Sequence, residues 1–161
     1  MFKKVLNNKA QCSHKQGQGD PLIINLRGFL FFSSLFFLFP AALAVQHKKL
    51  YYLAILYTLT TLASLNYWRY PVHGLRRNID LIVARTSFLI TLISGIIFIK
   101  NTTYLVVGWT IAACIPFCYY LSHKLSKLRM KQWCITHMMM HAFVAAGMTL
   151  VVISALADRD M

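Results

Sequence analysis

Acidic side chains are scarce in this chain: four Asp and Glu stand against seventeen Lys and Arg among 161 residues. Charge of either sign is confined to 13% of the sequence. No G-x-x-x-x-G-K loop occurs, nor any RNP-like or zinc-finger-like spacing, so the net charge of +13 does not point to a nucleotide or nucleic acid. Cysteine is sparse as well. Cys12 stands alone in a polar tail, while Cys114, Cys118 and Cys134 lie in or beside apolar runs, which is no disulfide framework. No internal repeat is evident, and Asp80 and Arg85 are the only Asp, Glu, Lys or Arg near a span interior, both toward its edge, which disfavours a transporter.

Apolar residues are abundant instead. They make up 58% of the chain, and the mean hydropathy of +0.55 exceeds what a soluble domain carries. That composition calls for a lipid solvent, and the expected fold class is an all-α polytopic transmembrane bundle of five spans. Residues 1–21 read as a mobile basic cytoplasmic tail, because they lack the apolar content that would offset ordering entropy. Residues 22–161 read as the transmembrane domain, with spans near 28–45, 50–68, 81–99, 103–121 and 133–157. Each run is long enough to cross a hydrocarbon core of about 30 Å at roughly 1.5 Å per residue. Ala42-Leu43-Ala44 is similar to a signal-peptidase site, but the long leader before it and the length of the apolar stretch favour an uncleaved anchor.

Loop charge supplies an independent test of the count. Five crossings place thirteen Lys and Arg on the side of the N terminus, including Arg69, Arg76, Arg77, Lys124 and Lys127, and four on the other side. Cytoplasmic loops collect such residues, so the N terminus is expected in the cytoplasm and the basic face is expected to bind anionic lipid headgroups of an endomembrane or plasma membrane. Arg85 would cost about 2.5 to 3.5 kcal/mol at a bilayer centre and is expected to snorkel toward that face.

The sharpest local pattern is His137-Met-Met-Met-His141. Residues at i and i+4 share a helical face, so two imidazoles can bind one metal, and neutral His is a good zinc ligand. Cys134 falls one turn earlier and is the nearest candidate for a third ligand, with His73 and His123 as alternatives from loops at the same face. The same histidines could instead hydrogen-bond to headgroups, water or a neighbouring helix. Asp80 either caps the third helix, pairs with Arg76, Arg77 or Arg85, or serves a site; Ser64 either bonds back to its own helix or joins that site.

Ser64, Asp80 and the stretch THMMMHAFVAAG from Thr136 to Gly147 together resemble the seven-span superfamily that includes alkaline ceramidases and the progestin and adipoQ receptors. The resemblance implies a zinc-dependent hydrolase of lipid amides, with His137 and His141 as ligands, Asp80 serving the metal-bound water and Ser64 polarising the substrate carbonyl. Trp68 stands four residues after Ser64, where that family has a metal-binding His. The competing expectation is a non-catalytic accessory or scaffold protein.

Overall fold

Segments that carry no charge for five or more turns have one stable form in lipid, because a helix satisfies every backbone N–H and C=O within the segment. The computed structural model describes residues 28–72 and 74–157 and is all-α, with no strand among the described residues. The expected tail and His73 lie outside them. Five long helices follow one another: α1 (Gly28–Val45), α2 (Tyr51–Arg69), α3 (Leu75–Phe98), α4 (Thr102–Lys127) and α5 (Trp133–Ala157). A short 3-10 turn, Lys48–Leu50, leads into α2.

Four of these, α1, α3, α4 and α5, are long and apolar enough to cross a membrane. The 19 residues of α2 would span about 28 Å, but its threonines and tyrosines lower its hydropathy. It belongs to the bundle by packing, lying between α1 and α3 and supplying the buried Leu53, Tyr57, Thr61 and Ser64.

Two boundaries differ from the expected spans. α3 begins at Leu75, so Arg76 and Arg77 occupy its first turn and Asp80 its second; the helix is capped by Gly74, and Asp80 is not a cap. Gly74 has φ 149° and ψ −160°, a conformation that only glycine adopts readily. α4 continues to Lys127, which puts His123 inside the helix and exposed rather than in a loop. Asn101 starts α4 by accepting the backbone N–H groups of Thr103 and Tyr104 at 2.9 and 3.3 Å. Its other end closes on a Schellman turn in which Met130 N–H bonds to Leu125 O and Arg129 N–H to Ser126 O, with Arg129 at φ 55°.

Polarity is inverted relative to a soluble bundle. On α1, Phe29, Phe32, Phe36 and Phe39 are exposed, while Leu30, Ser33, Ser34, Phe37 and Ala41 point into the protein. Lipid accepts the aromatic face at no cost, whereas the hydroxyls gain by turning to partners inside. Pro40 removes the amide that would bond to Phe36, and the helix tightens into a 3-10 turn over Ser34–Phe37 just before it.

The interior is layered along the bundle axis. Near the basic end Leu30, Trp68, Trp133 and Cys134 form one apolar cluster; toward the other end Phe37, Tyr57, Met148 and Val152 belong to a second. Between them α1 contributes Ser33 and Ser34, α2 contributes Ser64, and α5 contributes His137 and His141.

Candidate functional site

That intermediate layer is a network of hydroxyls and imidazoles whose proton directions follow from simple bookkeeping. Ser33 Oγ has one proton and lies 2.9 Å from Leu30 O, which can only accept. Its second contact, 2.8 Å to His141 Nδ1, is then made by the imidazole N–H. The same reasoning applies on α4. Ser122 Oγ donates to Trp133 O at 3.2 Å and receives His137 Nδ1–H at 3.3 Å. Both histidines are thereby set as the Nδ1–H tautomer, with the Nε2 lone pair left over. The two rings stand 5.0 Å apart, centroid to centroid, and Phe37 packs against His141 at 5.2 Å.

Ser64 follows the same pattern. Ser34 Oγ donates to Leu30 O at 2.9 Å, so the 2.9 Å bond between Ser34 and Ser64 carries the Ser64 proton. Ser64 therefore bonds across to α1 and not back to its own helix.

These side chains wall a chamber of about 420 Å³. Ser64, Asp80, His137 and His141, which sequence spacing had placed at one end of the bundle, all line it, joined by Thr60 and, at its rim, by Arg85 and Tyr119. His141 sits deeper than a headgroup layer, being eight residues on from Trp133 and thus about 12 Å further along the axis. Cys134 is not among the lining side chains; it is buried in the apolar cluster with Leu30, Trp68 and Trp133. Trp68 stacks on Trp133 with ring centroids 6.3 Å apart and meets His137 edge-to-face with centroids 5.1 Å apart. Where the ceramidase-like pattern would have a third imidazole, there is an indole wall.

A resident zinc can be tested against this donor set. Serine bonds to Nδ1 are the kind of outer contact that orients metal-binding imidazoles. Yet among the described residues no three His, Cys, Asp or Glu side chains converge to hold a metal. A catalytic zinc takes three protein ligands and an open position, so the described residues do not fit one.

Beside the chamber lies a narrow groove of about 60 Å³ lined by α3, α4 and α5 together with Ile99, which follows α3. Phe88, Ile115, Val144 and Met148 border both spaces. Three glycines, one from each helix, flank the groove: Gly95, Gly108 and Gly147. α3 and α4 touch only sparsely, and Leu89, Ile96 and Trp109 on the lining are exposed, so the cleft opens sideways between these helices.

In comparisons with known proteins, no family model, no curated protein and no solved structure matches this chain. The likeness to the alkaline ceramidase superfamily accordingly rests on the motif residues alone. The residues that sequence reasoning missed are Ser33, Ser34, Ser122 and Thr60. A signal existed for the first two, since they are the only hydroxyls in the span 28–45 and interrupt a run of phenylalanines.

Proposed function

We propose that this chain is a multi-pass membrane protein that binds a membrane amphiphile inside its helix bundle. One observation carries the reading: a mainly apolar chamber that holds a small cluster of polar side chains adjoins an apolar groove, the two share four wall residues, and exposed side chains of α3 and α4 border both. An amphiphile entering from the bilayer would lay its chain along the groove and its polar head in the chamber, without crossing a polar barrier. The groove is narrow, which suits one chain better than two.

The test is to purify the protein in detergent micelles and measure binding of a radiolabelled single-chain amphiphile to wild type and to Gly108→Leu. A leucine there places its branch beside Ile99 and Leu150 and into the groove. Saturable binding that Gly108→Leu abolishes supports the proposal; binding that is absent, or equal in both proteins, ends it.

Hydrolysis of the bound lipid is a second reading, favoured by two imidazoles with a free Nε2 lone pair and by Asp80, all three among the residues lining the same chamber. An imidazole so placed can take a proton from water or from a substrate hydroxyl. Release of fatty acid from a lipid amide or ester by purified protein, lost in His141→Ala, is the assay. At the basic end, Arg69 and Arg76 lie 5.6 and 5.9 Å from the Tyr70 ring centre, and with Lys124 and Lys127 in the last turn of α4 this end would also hold anionic headgroups.

A further inference from the structure

The hydrogen bonding of the chamber also bears on which polar head it accepts, an inference that rests on the amphiphile-binding reading above. Each hydroxyl or imidazole of the inner wall has its proton committed elsewhere. Thr60 Oγ1 donates to Leu56 O at 2.9 Å. Ser64 donates to Ser34, His137 to Ser122 and His141 to Ser33. The hydrogen-bonding capacity these lining residues have left is lone pairs: two hydroxyl oxygens, two Nε2 atoms and, beside them, the Asp80 carboxyl group. The side-chain donors on the lining, Arg85 and Tyr119, are both exposed at the rim. No ion pair joins Arg85 to Asp80 among the described residues, so the carboxyl group is not already matched by that cation.

We propose that the chamber selects a single-chain amphiphile headed by a primary ammonium. Such a head brings three N–H donors to a mainly apolar wall whose few inner polar groups are acceptors, and its charge is matched by Asp80. Phe37 and Phe88 add aromatic surface, which attracts a cation. A phosphate or carboxylate head brings acceptors against acceptors and a like charge against Asp80. Both sides are then left unpaired in a poorly solvated space, which is how a hydrogen-bonding site rejects the wrong ligand.

Selectivity can be read with four probes of equal chain length: hexadecylamine, hexadecanol, hexadecyl phosphate and hexadecanoic acid. Each competes for a labelled single-chain amphiphile on full-length protein in zwitterionic nanodiscs, with Gly108→Leu as the control for partition into lipid. The expected order is amine first, alcohol next, and the two anions weaker than the amine by about ten-fold or more. Asp80→Asn should cut amine affinity about ten-fold and leave the alcohol unchanged. Ser33→Ala frees His141 to present Nε2–H, so the margin against the anions should shrink.

Equal binding of all four heads, blocked by Gly108→Leu, would overturn the head-group inference while leaving the amphiphile site standing. Anions binding more tightly than the amine would overturn it too. If no probe binds in a manner sensitive to Gly108→Leu, the amphiphile reading falls and this inference with it. Variants are compared only where circular dichroism and size-exclusion profiles match wild type, and the wild-type order alone decides if none does.

Discussion

His141 Nδ1 and Ser33 Oγ meet at 2.8 Å, tying the middle of the last helix to the first across 108 positions of sequence. The contact sets the imidazole tautomer and closes one wall of the chamber. Removing the hydroxyl alone strands a buried N–H, whereas removing both partners leaves an apolar contact. Ser33→Ala should therefore destabilise the folded bundle by about 1 to 2 kcal/mol, and Ser33→Ala with His141→Leu should recover most of that. Reversible unfolding in mixed micelles measures both; a double variant no more stable than the single would show that the bond does not carry the effect.

The turn between α4 and α5 offers a gain of stability. Arg129 takes φ 55° at the position of the Schellman turn where glycine is the common residue. A side chain there costs about 1 to 2 kcal/mol in Cβ contacts, and Arg129 is exposed. Arg129→Gly should raise stability by roughly 1 kcal/mol after the added entropy of the unfolded chain is subtracted. A fall in the unfolding midpoint would mean that the arginine side chain stabilises more than its backbone costs.

Orientation in the membrane follows from the basic residues that ring one end of the bundle. Cysteines introduced at Lys127 and at Lys100 should label from opposite sides of sealed vesicles, with Lys127 on the cytoplasmic side. Labelling from the same side would remove α4 as a crossing, and labelling of Lys100 from the cytoplasm would invert the topology.

Zinc content separates two accounts of the histidine pair. The described residues supply two imidazole nitrogens and no third converging donor, so purified protein is expected to carry well under one equivalent of zinc. Close to one equivalent, lost in both His137→Ala and His141→Ala, would bring in a ligand from outside the described residues, His73 being the nearest in sequence to the site. The metal-dependent hydrolase reading would then regain its chemistry.

The helices themselves, their approximate ends and the distribution of charge were legible in the sequence, because helix formation in lipid is local. Hydrogen bonds from residue i to i+4 satisfy the segment, and Gly74, Pro71 and the basic loops punctuate it. The shared face of His137 and His141 is local too, being a matter of helical period. Their partners are not. The apolar runs are hydrophobic on every side, and lipid gives no solvent preference to say which face turns inward. Only packing decided that Ser33 and Ser122 would reach the two imidazoles, that Cys134 would enter an apolar cluster instead of the chamber, and that α3 and α4 would part to leave a cleft. Those relationships join residues from different helices, and spacing along one helix encodes none of them. The composition of this chain determined that it lives in a membrane; hydrogen bonds and packing between its helices decided which side chains meet at the chamber.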